Sequence, residues 1–168
     1  VFDEDRYFEE PAEPTCVRLD GLHWGLTICE DIWNDKDFWH RRLYPRDPVE
    51  MLVGQGAQIL VNLSASPYHL GKQAFKEAML SSLAHKHHMP VLYVNQVGGN
   101  DELLFDGRSM AFNDQGKLLA RAPAFQTAVT VVDLQEEKGP VSPRLCEEEE
   151  LRQVLVMGMR DYADKCGF

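Results

Sequence analysis

The sequence predicts an α/β fold in which helices alternate with strands that are buried on both faces. A helix-compatible segment at 48–55, with proline in its first turn, precedes a continuous apolar run at 57–63. The same order returns where an amphipathic segment at 71–88 precedes a second apolar run at 91–95. A chain of 168 residues, 44% hydrophobic and 26% charged, suits one globular core.

A β-hairpin is predicted ahead of these elements, at residues 15–28. Two short apolar runs flank Asp20 and Gly21, and an Asp-Gly pair readily adopts the positive φ angles of a tight turn. The second run ends directly at Cys29, and a polar, aromatic and proline-broken stretch follows as far as Pro48. That stretch predicts a long surface loop, of the kind that often serves a functional site.

The helix predicted at 71–88 has one apolar face and a charged remainder. Four apolar residues at helical spacing form the first: Phe75, Met79, Leu80 and Leu83. Four charged residues are expected on the other faces: Lys72, Lys76, Glu77 and Lys86. Pro90 ends the helix before the next strand.

Further strands are predicted after the second buried strand. Gly98 and Gly99 are expected to form a turn, because two glycines in succession favour a change of chain direction. The strands that follow are expected at 107–112, 118–121 and 125–134, with a turn at 113–116.

The composition changes at residue 135. Residues 135–150 are rich in Glu, contain two prolines and lack apolar periodicity, so they predict a solvated linker. A helix with an acidic first turn is expected from Glu147 to Lys165. The predicted organisation is a core at 1–134, an acidic linker at 135–150 and a helical segment at 151–168.

Charge and composition exclude several classes of protein. A net charge of −10 argues against binding nucleic acid or an anionic membrane, which both need clustered Lys and Arg. No run approaches the ~18 apolar residues of a membrane span, and the first residues lack the features of a signal peptide. No spacing of Cys and His suits zinc. We therefore expect a cytoplasmic protein without a metal site.

Cys29 is the candidate nucleophile, because it stands where a buried strand ends and an exposed segment begins. On the residues alone, a buried thiol remains the alternative, since Glu30 and Asp31 would raise the pKa of the thiol unless a cation opposed them. The other cysteines are expected to be free buried thiols: Cys16, Cys146 and Cys166.

Several motifs, in order, resemble the nitrilase or carbon–nitrogen hydrolase superfamily. The stretch Gly-Leu-Thr-Ile-Cys-Glu-Asp-Ile-Trp at 25–33 is similar to its nucleophile segment, and residues 105–116, which open with Phe-Asp-Gly-Arg-Ser, are similar to another of its patterns. Residues 1–8, 60–72 and 95–102 resemble one branch, the glutaminase domains of glutamine-dependent NAD synthetases. The resemblance covers essentially the whole chain.

The resemblance implies a four-layer α-β-β-α sandwich, here incomplete because its N-terminal part would be missing. It also implies a Cys-Glu-Lys triad that releases ammonia from glutamine through a γ-glutamyl thioester. Cys29 matches the nucleophile, and the backbone N–H of Glu30 matches an oxyanion donor. The catalytic lysine and glutamate would lie before Val1, so this fragment alone is expected to hydrolyse little or no glutamine.

The same resemblance implies a set of glutamine-binding residues. Glu30 would pair with the α-ammonium group, and Trp33 would cover the aliphatic stem. Ser66 and Lys72 would hold the α-carboxylate. On the residues alone, Trp33 is a packing residue, Ser66 a turn serine and Lys72 a solvated helix residue. Glu4 matches a second acid near the missing lysine, with a surface carboxylate as the alternative.

Expected partners and cofactors also follow from the resemblance. Residues 151–168 are similar to the stretch before a synthetase domain, so the chain would be a fragment cut at both ends. That missing domain would use ATP and magnesium to amidate deamido-NAD, and this chain itself would need no cofactor. Glutamine, the synthetase domain and further copies in a homo-oligomer are the expected partners. A stand-alone nitrilase-family amidase and a non-catalytic nitrilase-fold scaffold are the alternatives.

Overall fold

The computed structural model describes residues 13–39, 45–135 and 139–168. The motif at 1–8 and the candidate Glu4 lie outside these ranges. The elements in chain order are β1 (Thr15–Leu19), β2 (Leu22–Ile28), α1 (Pro48–Gly54), β3 (Ile59–Ser64), α2 (Lys72–His87), β4 (Val91–Asn95), β5 (Val97–Asn100), β6 (Leu103–Asp106), β7 (Met110–Phe112), β8 (Leu118–Arg121) and α3 (Glu147–Cys166).

Most of the predicted elements are confirmed within one or two residues, because their boundaries depend on local chemistry. Asp20 and Gly21 both have positive φ and turn the chain between β1 and β2. The Asp47 carboxylate accepts hydrogen bonds from the first backbone N–H groups of α1, and Pro48 occupies the first turn. His88 adopts a left-handed conformation and ends α2 two residues before Pro90.

Six strands form a mixed sheet in the order β1-β2-β3-β4-β7-β8. The central strands β2, β3 and β4 run parallel, and the other pairs are antiparallel. The carboxyl ends of parallel strands meet at one edge of a sheet, which is where ligands commonly bind in α/β folds. Cys29 follows β2 at this edge, and Ser64 and Asn95 end β3 and β4 as register partners.

Helices α1 and α2 cover one face of this sheet and build the main core. Leu52 of α1 and Leu80 of α2 are buried together with Leu60, Val91 and Tyr93 of the strands. The other face carries exposed apolar side chains, including Leu26, Ile28, Leu63 and Val94. Strands β1 to β4 therefore carry one α layer, and their opposite face is largely open, whereas Val132 and Leu134 pack on the part of the sheet that includes β7 and β8.

Two sequence predictions for this part of the chain are wrong. Gly98 and Gly99 lie in β5, which pairs with β6, instead of forming a turn. Their missing side chains let α3 approach, since the Gly99 N–H donates to the Asp161 carboxylate at 2.8 Å. The strand expected at 125–134 is absent from the structure. Val129 and Val131 are 95% and 85% exposed and have no strand partner, so the alternation of apolar residues gave a wrong prediction here.

The acidic segment is less solvated than the sequence suggests. Gly139 donates its N–H to the Leu119 carbonyl at 2.9 Å, and Arg121 donates its N–H to Pro140 at 3.0 Å, so this stretch lies along β8. Helix α3 already begins at Glu147, inside the range expected as linker. Cys146 and Cys166, predicted to be buried thiols, are exposed, and Cys16 is half-buried.

Candidate active site

Cys29 begins a 3-10 turn, Cys29–Trp33, directly after β2. Its φ of +45° lies in a region that few residues other than glycine adopt, a strain that often accompanies functional positions. The buried Asn62 side chain donates to the Cys29 carbonyl at 3.3 Å and to the Thr27 hydroxyl at 3.1 Å. The Ile28 N–H donates to the Asp31 carboxylate at 2.7 Å and fixes the start of the turn.

An open cavity of about 430 Å³ lies against Cys29 at the carboxyl edge of the central strands. Residues from the ends of β2, β3 and β4 line it: Ile28, Cys29, Leu63, Ser64, Ala65, Val94, Asn95 and Gln96. Its volume falls within the range of small-molecule sites. The four residues predicted to bind glutamine, Glu30, Trp33, Ser66 and Lys72, are not among its lining residues.

Trp33 and Lys72 lie together on the α2 side of Cys29. The Lys72 Nζ is 5.3 Å from the centre of the Trp33 ring and donates to the Pro67 carbonyl at 2.8 Å. Burial lowers the pKa of Lys72, and repulsion from Lys76 lowers it further, whereas electrostatic interactions with Asp106, Cys29 and Glu30 act to raise it. Lys72 therefore lies against the Trp33 ring and within electrostatic range of Cys29 and Glu30.

Trp33 also has the packing role that the sequence left open. Its ring stacks on Trp39 with centroids 5.8 Å apart and contacts Phe75 at 6.1 Å. Phe75, expected on the apolar core face of α2, is partly exposed and completes this aromatic cluster. The cluster holds the Trp33 ring beside Lys72.

Ser66 is buried and reaches the cavity only through a neighbour. Its N–H donates to the Asn95 Oδ1 at 2.9 Å, and Asn95 lines the cavity. Its hydroxyl lies beside that of Tyr93, whose pKa is raised by burial. Ser66 is thus part of the wall behind the cavity.

The sequence prediction for Lys76 is wrong, because this lysine is completely buried. Its Nζ lies 3.1 Å and 3.4 Å from the two Asp106 carboxylate oxygens, and 5.7 Å from the centre of the Tyr93 ring. Burial lowers the pKa of Lys76, and the Asp106 charge acts to raise it. A buried charge is tolerated only when it is paired in this way. Because the partner, Asp106, is distant in the sequence, the pattern of apolar residues in the helix could not show that Lys76 is buried.

Asp106 is the centre of a cluster of charges that sequence reasoning missed. Arg108 lies 3.5 Å from Asp106 and 2.5 Å from Glu150 of α3, and all of these side chains are largely buried. Asp106 and Arg108 belong to the Phe-Asp-Gly-Arg-Ser motif, which carried no assigned role. One sequence feature pointed to this cluster: Lys76 lies one helical turn beyond Lys72, so it shares the helix face of a predicted substrate-binding residue.

Within the described ranges, no three His, Cys, Asp or Glu side chains are grouped as metal ligands. No helix in the same ranges is long and apolar enough to cross a bilayer. The four cysteines are free thiols.

Comparison with known proteins identifies the family. The carbon-nitrogen hydrolase family model matches residues 2–140. The chain belongs to the carbon-nitrogen hydrolase family. A glutamine-dependent NAD(+) synthetase from Synechocystis sp. is 44% identical over 174 residues, covering 100% of this chain and 31% of the relative. This carbon-nitrogen hydrolase chain therefore spans about a third of the length of that relative.

Two solved structures share the fold. Glutamine-dependent NAD+ synthetase from Acinetobacter baumannii, in complex with adenosine diphosphate, matches with a TM-score of 0.80 and 33% identity, over 100% of this chain and 31% of that chain. The NitN amidase from Nesterenkonia sp. AN1 matches with a TM-score of 0.64 and 19% identity, over 80% of this chain and 47% of that chain. The predicted α/β nitrilase-like fold, incomplete in the described residues, is confirmed.

Proposed function

We propose that this chain is part of the glutaminase unit of a glutamine-dependent NAD synthetase and releases ammonia from glutamine through Cys29. The observation that carries the proposal is the setting of Cys29. It is conformationally strained, lies at the carboxyl edge of the sheet against a cavity, is followed directly by Glu30, and interacts electrostatically with Lys72. The names of the relatives, glutamine-dependent NAD synthetases at 44% and 33% identity, support glutamine as the substrate.

The chemistry proceeds in two steps at the Cys29 sulfur. The thiolate bonds to the side-chain amide carbon, the nitrogen takes a proton, and ammonia leaves a γ-glutamyl thioester. Water then attacks the thioester, giving glutamate and restoring the thiol. The Glu30 N–H directly follows the nucleophile in the 3-10 turn Cys29–Trp33, and it serves as an oxyanion donor.

The proton-carrying glutamate and the oxyanion-binding lysine of this mechanism are not assigned to residues of this chain. Glu4 stays a proposed second acid and lies outside the described residues.

Glutamine is recognised at its amino-acid end. Glu30 pairs with the α-ammonium group, the Trp33 ring covers the aliphatic stem, and Lys72 with Ser66 holds the α-carboxylate. The 5.3 Å between the Lys72 Nζ and the Trp33 ring supports this assignment, because an apolar surface then lies next to a cation. A substrate with an apolar stem and a terminal carboxylate needs both.

The ammonia passes to a synthetase domain of the same polypeptide, which uses ATP and magnesium to amidate deamido-NAD. The relative from Synechocystis sp. is named a glutamine-dependent NAD(+) synthetase and is about three times as long as this chain, which supports the assignment. We place the enzyme in the cytoplasm as a homo-oligomer. The four cysteines form no disulfide, which suits a reducing compartment.

The proposal is tested on the full-length gene product by measuring ammonia release from glutamine. Cys29→Ala is expected to lower kcat by at least about 10³-fold, because no other group replaces the nucleophile. Cys16→Ala, at a half-buried thiol of β1, is the matched control and should keep its activity. Ammonia release that survives Cys29→Ala would disprove the proposal. Faster Cys29-dependent hydrolysis of simple aliphatic amides would favour the stand-alone amidase.

A further inference from the structure

Asn95 connects the nucleophile cavity to the buried charges behind it. Asn95 lines the cavity, and its side-chain Oδ1 accepts the Ser66 N–H at 2.9 Å. On its other side, the Nδ2 donates to the Asp106 Oδ1 at 3.1 Å and to the Gly107 carbonyl at 3.1 Å. Three separate segments of the chain therefore meet at one buried amide.

The orientation of this amide is fixed by charge. A carboxylate only accepts hydrogen bonds, so the end of Asn95 that faces Asp106 is the NH₂ group, and Oδ1 has to face Ser66. The Lys76 Nζ contacts both carboxylate oxygens of Asp106, at 3.1 Å and 3.4 Å, and pairs this carboxylate in the interior. Asp106 and Lys76 thus fix the orientation of the Asn95 amide, whose Oδ1 accepts the Ser66 N–H.

The segment held in this way is the one that binds the carboxylate in the proposed function. Asn95 fixes Ser66, and the Lys72 Nζ donates to the next carbonyl, that of Pro67. The Lys72 ammonium group lies beside Ser66, so it would stabilise a carboxylate bound there.

We propose that Asn95 is a positioning residue for the carboxylate end of the substrate, and that Asp106 and Lys76 hold it in its working orientation. This inference rests on the proposed function and adds a role for three residues that do not touch the reacting atoms. It requires that loss of the Asn95 side chain slow the reaction of Cys29 with carboxylate-bearing substrates more than its reaction with substrates that lack the carboxylate. A merely structural residue would affect every reaction of Cys29 alike.

The test compares two reagents that alkylate Cys29 in the full-length gene product. Diazo-oxo-norleucine carries the free carboxylate of glutamine, and its methyl ester has the same reactive group without that charge. Asn95→Ala is expected to slow labelling by the acid about tenfold, the upper end for one lost hydrogen bond, and to change labelling by the ester less than about twofold. Asn113→Ala is the matched control. Asn113 also accepts backbone N–H groups, from Gln115 and Lys117, but it lies in the turn between β7 and β8.

Lys76→Met provides a second variant of similar side-chain length, should Asn95→Ala fail to fold. It is expected to lower the acid-to-ester ratio of rate constants by about threefold in the same direction. Glu77→Gln is its control, since Glu77 is the next residue of α2 and pairs instead with Arg121 and Arg144.

An unchanged acid-to-ester ratio in a folded variant would overturn the inference, whether both rates fall together or neither falls. Wild-type protein in which the acid labels Cys29 no faster than the ester would overturn the proposed function and this inference with it. A ratio that falls in Asn95→Ala and stays at the wild-type value in Asn113→Ala would support the inference.

Discussion

Cys29 depends on a polar side chain inside a strand that the sequence shows as apolar. Asn62 is fully buried in β3, yet its amide donates to the carbonyl of Cys29 and to the Thr27 hydroxyl. The Ser64 hydroxyl in turn donates to the Asn62 Oδ1 at 2.6 Å. A buried polar network of this kind fixes one backbone conformation, here the strained one of Cys29.

Asn62→Leu is expected to impair the nucleophile more than the fold. The variant leaves the Cys29 carbonyl without this donor, and a displaced nucleophile can lose about 10² in kcat. The free energy of unfolding should fall by about 1–3 kcal/mol. Glutamine kinetics and denaturant unfolding of the full-length gene product measure the two effects. A folded variant with wild-type kcat would contradict this role for Asn62.

Lys72 should give the proposed carboxylate site a characteristic pH dependence. Its pKa lies below the ordinary 10.5, so as pH rises it loses its charge earlier than a free lysine would. The KM for glutamine is therefore expected to rise in the alkaline range, beginning below pH 10.5. In Lys72→Arg the rise should move to higher pH, because guanidinium stays protonated. Comparing the two profiles cancels the titration of glutamine itself, and superimposable profiles would exclude Lys72 from the site.

At the scale of the elements, the turn between β7 and β8 packs directly on α2. Gly116 has a φ of +77°, and a Cβ placed on it would lie 2.4 Å from the Ser81 carbonyl oxygen. The Ser81 hydroxyl also donates to the Gly116 carbonyl at 2.6 Å. Only glycine meets both the conformational and the spatial requirement at this position.

Gly116→Ala should destabilise the protein more than Gly21→Ala does. Gly21 has a similar φ of +80°, but a Cβ placed there would meet nothing within 4 Å. In both variants the left-handed backbone conformation lowers the free energy of unfolding by about 1–2 kcal/mol. Only Gly116→Ala adds the clash with α2. Denaturant unfolding measures the difference, and equal losses would show that the turn yields without cost.

Helix α3 is attached to the core by a buried ion pair. Glu150 in its first turn contacts Arg108, whose guanidinium also lies 5.3 Å from the centre of the Phe125 ring. Glu150→Gln leaves Arg108 with less compensating charge and should cost about 3 kcal/mol. The matched control is Glu148→Gln, at an exposed position of the same turn, which should change stability by less than about 0.5 kcal/mol. Equal losses in the two variants would mean that the pair does not hold α3.

At the scale of the whole molecule, the open face of the main sheet is the dominant feature. Residues that lie opposite one another in neighbouring strands, from β1 to β4, place their apolar side chains on this face. Leu19 lies opposite Leu22, and Leu63 lies between Ile28 and Val94. Several of these side chains are more than a third exposed. A contiguous apolar surface of this kind favours association.

The isolated 168-residue chain is therefore expected to self-associate through this face. Leu26→Lys, which places a charge on the face, should shift the chain towards smaller species in sedimentation experiments. Leu155→Lys is the control, because Leu155 is exposed on α3, away from the main sheet. If Leu155→Lys weakened the association and Leu26→Lys did not, the associating surface would lie on α3 and not on the open face of the main sheet.

The sequence by itself determined the order of the elements from β1 to β4 and the position of Cys29 at a strand end. Those features follow from local rules: apolar periodicity for α2 and β3, an Asp-Gly turn, and a proline after α2. Its errors have the same origin. A local pattern could not show that Gly98 and Gly99 pair in a strand against α3, or that residues 125–134 find no strand partner.

Only the tertiary structure decided which polar residues surround the nucleophile. Lys76 and Asp106 are 30 residues apart and Ser66 and Asn95 are 29 apart, so no local pattern links either pair. Burial makes these contacts obligatory, because a charge or amide removed from water has to find its partner within the protein. The roles of Lys76, Asp106 and Asn95 therefore follow from the packing of α2 on the sheet, and the position of Cys29 follows from the chain itself.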